Sequence, residues 1–240
     1  MKLFSRFGAI ASSFSSIAGT SLSTGLVAYY NFDETSGDLL DQVGSNDGTV
    51  NGATQNVSGK IGTAYSFDGV NDLVVLPDAS YIDFSSDFTF AIWFKYNGNG
   101  GSIFPSIASK WWDGSTRGWN LYLDNSGNLQ FVWRPSGEGV DRSLSYSNYS
   151  NINGSWHLCI IKYLSGTMYL KIDNTLQDSE VANACAINNA TPRLGSYTHT
   201  SLNGWLNGSL DECGIWDRGL TADEETELYN SGTGKTYPFT

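Results

Sequence analysis

Charge is scarce in this 240-residue chain, and positive charge scarcer still. Charged residues make up 15%, with 13 Lys and Arg against 24 Asp and Glu, for a formal net charge of −11. An average soluble domain carries about 25%. The acidic balance excludes a nucleic-acid partner, which needs clustered Lys and Arg to neutralise phosphates. No apolar run approaches the roughly 20 residues of a membrane span. Three cysteines, Cys159, Cys185 and Cys213, are too few for a disulfide framework. Cys159 and Cys213 fall in strand-like runs and read as buried thiols rather than a bridge, which leans towards folding in a reducing compartment. The two histidines, His157 and His199, make no zinc spacing with the thiols, and His157, beside Trp156 in a strand-like run, reads as structural. The Gly-x-Ser-x-Gly nucleophile elbow is missing.

What the chain does have is 27 Gly, 8 Trp, 13 Tyr and 12 Phe, with 14% aromatics. That is too aromatic for disorder and suits many strands joined by many turns. Phe88, Phe90, Ile92, Phe94 and Tyr96 alternate with Thr89, Ala91, Trp93 and Lys95, the clearest period of two in the chain. Leu26–Phe32 is β-rich. Trp119–Leu123 and Leu129–Trp133 flank a Gly-containing loop, and Trp156–Ile160 and Met168–Ile172 flank Ser165-Gly166, so both pairs read as hairpins. Trp93, Trp119, Trp133, Trp156, Trp205 and Trp216 sit at strand positions and are expected in the core. One helix is expected near the end, where Thr221 and Glu224 form a capping box and Gly232 and Pro238 stop it. Gly232-Thr233-Gly234-Lys235-Thr236 imitates the end of a phosphate-binding loop, but Tyr229 stands where the motif needs Gly; the segment reads as a flexible tail. The reading is one antiparallel β-sandwich over residues 25–240.

Residues 1–24 stand apart. Leu3, Phe7, Ile10, Phe14 and Ile17 follow a 4-3-4-3 spacing that places them on one helical stripe. Arg6 and the serines at 12, 13, 15 and 16 interrupt a secretory-signal reading. Burying the five apolar side chains stabilises by roughly 8–15 kcal/mol, whereas fixing about 20 backbones costs on the order of 20–40 kcal/mol. The segment is therefore expected to be an arm that is ordered by docking on its own sandwich or on another subunit.

Several segments then carry a family likeness. Gly25–Gly37 (GLVAYYNFDETSG), Asp41–Ala53 (DQVGSNDGTVNGA), Gly59–Pro77 (GKIGTAYSFDGVNDLVVLP), Asp87–Lys95, Ser155–Tyr163 and Gly208–Tyr229 (GSLDECGIWDRGLTADEETELY) resemble, in order, the laminin-G-like domains of the concanavalin A-like lectin and glucanase group. The resemblance implies an all-β antiparallel jelly-roll sandwich with a short C-terminal helix; the apolar arm is outside it. Glucanases of the group need paired carboxylates on one strand face, and no Glu-x-Asp occurs here, so no enzyme activity is expected. The group often carries calcium near the junction of the first and last strands. Asp33, Asp41, Asp47 and Asp211 are the candidate ligands, with the alternative that Asp41 and Asp47 merely brace a turn. Asp211 and Glu212 are adjacent in a strand-like run, so one of them is expected to face the interior or its rim. Sugar binding, also implied, needs an aromatic face beside polar groups; Trp111 and Trp112 in a loop-like stretch, with Arg134 and Arg142 flanking another, are the candidates.

The expected function is a non-catalytic surface module of a larger assembly, of virion-decoration, fibre or adhesin type. The arm anchors it, and the sandwich faces outward to bind cell-surface glycans. The expected location is a virion or extracellular surface. The alternatives are a secreted carbohydrate-binding module whose first 20-odd residues are a cleaved signal, and a glycan hydrolase.

Overall fold

A computed structural model describes residues 21–98, 102–111, 117–147, 152–197 and 204–239. The apolar stripe of Leu3, Phe7, Ile10, Phe14 and Ile17 lies outside the described residues, as does Trp112. No described helix is long and apolar enough to cross a membrane.

The described strands form two antiparallel sheets. The eight-stranded sheet runs β13 (Thr175–Val181), β12 (Thr167–Ile172), β11 (Trp156–Leu164), β6 (Phe88–Tyr96), β15 (Asn207–Trp216), β4 (Thr63–Asp68) and β3 (Thr54–Ser58), with β1 (Leu26–Tyr30) also paired to β15. The seven-stranded sheet runs β10 (Arg142–Tyr146), β9 (Leu129–Trp133), β8 (Trp119–Leu123), β7 (Ser106–Lys110), β14 (Arg193–Leu194), β5 (Leu73–Val75) and β2 (Thr49–Asn51). Both expected hairpins are present, as β8–β9 and β11–β12.

Alternation along β6 divides its side chains between two cores. Phe88, Phe90, Ile92, Phe94 and Tyr96 enter the inter-sheet core with Trp119, Phe131 and Trp133 from the other sheet. Ala91 and Trp93 enter a second cluster on the outer face, with Tyr29, Leu158, Ile160 and Trp216. Leu22, helix α1 (Ala222–Tyr229) through Leu228, and the tail residues Tyr237 and Phe239 cover that outer face. The tail is thus packed rather than flexible as the sequence suggested. Phe239 meets Tyr29 edge-on at 5.4 Å and stacks on Trp216 at 6.3 Å. Aromatic rings bury large areas, and that burial orders the polar-looking segment around them.

The capping box of α1 forms as expected: the Glu224 N–H donates to Thr221 and the Glu224 carboxylate accepts from the Thr221 N–H. Asn230 in the left-handed region ends the helix, two residues before Gly232. Glu225 on α1 is fully buried and paired with Lys162 on β11 and Lys171 on β12. This buried ion pair fixes the helix to the sheet; removing one partner would leave a buried charge uncompensated. Cys159, Cys185 and Cys213 are buried free thiols. Trp93, Trp119, Trp133 and Trp216 are buried, whereas Trp156 and Trp205 are half-buried.

Candidate ligand-binding site

The strand register fixes which side chains share the outer face of the seven-stranded sheet. Thr49, Val75, Arg193, Ser109, Asn120, Val132 and Ser143 are successive cross-strand partners over all seven strands. Their neighbours one residue along, Val50, Val74, Leu194, Ala108, Leu121, Phe131 and Leu144, form the parallel row that packs in or against the inter-sheet core. Because side chains alternate along a strand, the first row points away from the core. A second outward row joins Ser106, Tyr122, Gln130 and Ser145. The Ser106 hydroxyl bonds Asn120 Oδ1 at 2.9 Å, and the Ser109 hydroxyl donates to the Ser196 carbonyl at 2.9 Å. Tyr122 is half-buried, its ring edge-on to Phe104 at 5.6 Å.

This face holds two polar groups without protein partners. Arg193 Nε and Ser196 Oγ are both buried and make no hydrogen bond. Burial lowers the pKa of Arg193, as expected for a cation removed from water without a counter-charge. No Asp or Glu stands in either outward row.

The arginines expected to meet a ligand are instead paired within the protein. Arg134 Nε donates to Asp141 at 2.6 Å. Arg142 holds Glu138 at 2.8 Å and Glu180 at 2.9 Å. Trp111 is half-buried, with the Arg117 guanidinium 5.6 Å above its ring and Arg117 itself bound to Asp141. Trp111, Arg117, Arg134 and Asp141 therefore form a connected group at the end of the sheet. Arg193, Asn120 and Tyr122 escaped the sequence reading. Arg193 lies in a strand of two residues, too short to show a period. Asn120 and Tyr122 were legible only as the alternate positions of the expected Trp119–Leu123 strand.

The four candidate calcium ligands divide into two pairs, Asp41 and Asp47 within one turn, and Asp33 and Asp211 that brace the turn at residues 60–63. Asp41 accepts the backbone N–H groups of Tyr29, Val43 and Asn46 and the Asn46 side-chain amide, at 2.9–3.1 Å. Burial opposes ionisation, but the N–H groups of Gly44, Tyr29 and Val43 hold the carboxyl below its ordinary range. Asp47 accepts the Asp41 N–H at 2.8 Å. The turn-bracing alternative describes this pair. Asp33 accepts the Thr63 N–H at 2.8 Å, and Asp211 Oδ2 accepts the N–H groups of Lys60 and Ile61 at 2.7 and 3.0 Å. Among the described residues no three His, Cys, Asp or Glu side chains gather closely enough to hold a metal ion, so the four-acid set does not fit one calcium.

Asp211 and Glu212 do not face opposite sides of β15. Glu212 takes a left-handed backbone (φ 47°), and the register slips between Asp211 and Gly214. This bulge turns both carboxylates to the outer face of the eight-stranded sheet: Asp211 lies opposite Trp93, and Glu212 bonds the Tyr29 hydroxyl beneath the tail. Asp211 Oδ1 and Glu212 Oε1 accept no hydrogen bond of good geometry, although the Thr236 hydroxyl lies beside Glu212. Burial, with the charges of Glu212 and Asp33, pushes the Asp211 carboxyl up to about 8. Burial and Asp33 push Glu212 up to about 7. His157, read as structural, bonds Asp173 through Nδ1 at 2.6 Å.

A family model of the concanavalin A-like lectin/glucanases superfamily, laminin-G type, matches residues 68–224. The chain belongs to that superfamily. No curated protein matches its sequence. Among solved structures it is similar to the binding domain of Paraclostridial mosquitocidal protein 1 (TM-score 0.69, 20% identity, 87% of this chain and 52% of that one). It is similar also to the botulinum neurotoxin serotype D binding domain (0.67, 14%, 86% and 51%). A third is domain 4 of the extracellular arabinanase AbnA from Geobacillus stearothermophilus, solved with arabinotriose (0.65, 19%, 88% and 98%). The chain spans about half the length of the two toxin binding domains and nearly all of the arabinanase domain. At these identities the likeness shows the fold.

Proposed function

We propose that this superfamily member is a non-catalytic saccharide-binding module whose ligand lies on the outer face of the seven-stranded sheet. One observation carries the reading: two cross-strand rows of mainly polar side chains, with Val75, Val132 and the ring of Tyr122 among them, form that face, with buried polar atoms that no protein group satisfies. Saccharides need hydrogen-bonding side chains beside an aromatic surface, and sites for small ligands place a few polar groups to fix orientation. The arabinanase domain, named for its complex with arabinotriose, supports the choice of ligand, and the toxin binding domains support recognition rather than turnover. Glycoside hydrolysis needs two carboxyl groups flanking the scissile bond, and the outward rows have none. The acidic pair that the chain does have, Asp211 and Glu212, lies under its own tail.

The narrower role, a decoration, fibre or adhesin displayed on a virion or other extracellular surface and anchored through residues 1–24, belongs to the proposal on the strength of the apolar stripe in the sequence. Calorimetry with neutral and acidic oligosaccharides tests the site. Binding is expected, with a loss on Asn120→Ala measured well below the melt, where the variant is still folded although the stranded Ser106 hydroxyl lowers its melting temperature. Wild-type protein that binds no saccharide would refute the reading. Deleting residues 1–24 is expected to abolish incorporation into the assembly and leave saccharide binding intact.

A further inference from the structure

We infer that the ligand carries a carboxylate, and that Arg193 is the residue that selects it; this rests on the saccharide-binding reading above. The described chain contains five arginines, Arg117, Arg134, Arg142, Arg193 and Arg218. Four of them hold carboxylates: Arg117 and Arg134 hold Asp141, Arg142 holds Glu138 and Glu180, and Arg218 holds Glu224. Among the described residues Arg193 has no such partner, in a chain of 24 acidic residues. Its Nε is buried and makes no hydrogen bond. The side chain is half-buried, so a nitrogen of the guanidinium is desolvated without a counter-ion, and a guanidinium presents donors in a planar fork that matches a carboxylate's two oxygens.

The surroundings decide what kind of molecule brings that carboxylate. Arg193 stands between Val75 and Ser109 in the outward row, two strands from Asn120, and Ser109 bonds the carbonyl of Ser196, whose own hydroxyl is orphaned. The large exposed apolar side chains of the described chain, such as Val70, Val140, Val181 and Ile187, are not in either outward row. An acidic protein partner would need aromatic or aliphatic anchors at the centre of its interface. Short hydroxyl and amide groups around one unpaired fork suit a hydroxyl-rich ligand with one acidic group, a uronic or sialic acid sugar.

The test compares acidic oligosaccharides with their own methyl esters, using full-length protein and titration calorimetry. The probes are oligogalacturonate, oligomannuronate and sialyllactose. The wild type is expected to bind at least one acid on the order of 10- to 100-fold more tightly than its ester, the range for a charge-assisted bidentate pair. Whether a uronate or the sialoside wins identifies the source of the carboxylate. Arg193→Gln is expected to bring the acid-to-ester ratio to about one, and Arg193→Lys to leave part of it, since Lys keeps the charge and loses the fork. A purely structural role for Arg193 would not move that ratio. If Arg193→Gln fails to fold, the wild-type ratio and Arg193→Lys decide. Equal affinity for acid and ester in the wild type overturns the inference and leaves saccharide binding standing. Binding of an Asp-rich peptide as tight as that of the best saccharide also overturns it. Binding of no saccharide at all overturns both.

Discussion

Asp211→Asn should make the protein more stable at pH 8 and leave it unchanged or slightly weaker at pH 4.5. The carboxyl sits at about 8 in the fold against an ordinary 3.8, held up first by burial and then by Glu212 and Asp33. Glu212 is raised likewise, to about 7. Both folded values exceed the unfolded ones, so the native state binds more protons than the unfolded chain between about pH 4 and 8. Stability therefore falls as pH rises through that window. At pH 7 the protonation of Asp211 alone costs about 4 kcal/mol, taking 1.4 kcal/mol per pH unit above 3.8. The two carboxyls interact, so their contributions do not add. Asparagine keeps an oxygen for the Lys60 and Ile61 N–H groups. It brings an amide NH2 to the place of the unpartnered Oδ1, at a penalty of about 1–3 kcal/mol. The net expected gain is about 1–3 kcal/mol at pH 7 and about 1 kcal/mol more at pH 8, or several degrees in melting temperature for a chain of this size. Urea unfolding followed by tryptophan fluorescence from pH 4.5 to 8.5 measures it. The wild type should lose stability with rising pH and the variant should lose less. Parallel curves for the two proteins would refute the electrostatic account of this pair.

Three further outcomes follow from the packing and from the acidic turns. Phe239→Ala removes the ring that meets Tyr29 and Trp216 and should cost about 1–3 kcal/mol, read as a lower denaturation midpoint; an unchanged midpoint would return the tail to the flexible state that its sequence suggested. Gly62→Ala places a methyl at positive φ (58°), 2.6 Å from Asp33 Oδ1, so a loss of about 1–3 kcal/mol is expected in the same assay. Calcium at the Asp41–Asp47 turn would have to displace the four donors on Asp41, so chelator should leave the melt unmoved. A calcium-dependent rise in midpoint that Asp211→Asn abolishes would put an ion on the Asp211–Glu212 oxygens instead.

The sandwich was legible because burial leaves a period of two wherever a strand lies between different surroundings. The Phe88–Tyr96 alternation gave strand β6 at its full length, and the Thr221–Glu224 capping box gave the helix start. What the pattern does not encode is that both faces of β6 are buried. Thr89, Ala91 and Trp93 read as a mixed outer face, and their cover comes from residues far away in sequence: Leu22, Leu228, Tyr237 and Phe239. Asp211 and Glu212 failed for a local reason. Alternation assumes extended backbone at every residue, and one left-handed non-glycine residue, Glu212, breaks it.

The sequence pointed to cations other than Arg193 for a reason that is electrostatic rather than geometric. Arg134 and Arg142 lie in a loop-rich stretch and look available in sequence, but the same stretch supplies Asp141 and Glu138 as partners. Short sequence separation makes such pairs easy to form and removes the cations from recognition. Arg193 lies between Pro192 and Gly195 with no acid within eight residues on either side, so its charge could be neutralised only by a residue distant in sequence, and the described residues provide none. Its partner strands β5 and β7 bring Val75 and Ser109. The eight-stranded sheet covers its outer face with its own helix and tail, and its lysines, Lys162 buried and Lys171 half-buried, are matched by Glu225. The eight-stranded sheet thus pairs Lys162 and Lys171 with an acid of the chain and leaves only acidic or neutral atoms, such as Asp211 Oδ1 and Trp93 Nε1, without partners beneath its cover, whereas the seven-stranded sheet leaves a guanidinium nitrogen unmatched. That asymmetry between the two faces is the reason to place recognition on the seven-stranded side rather than at the Trp111 loop.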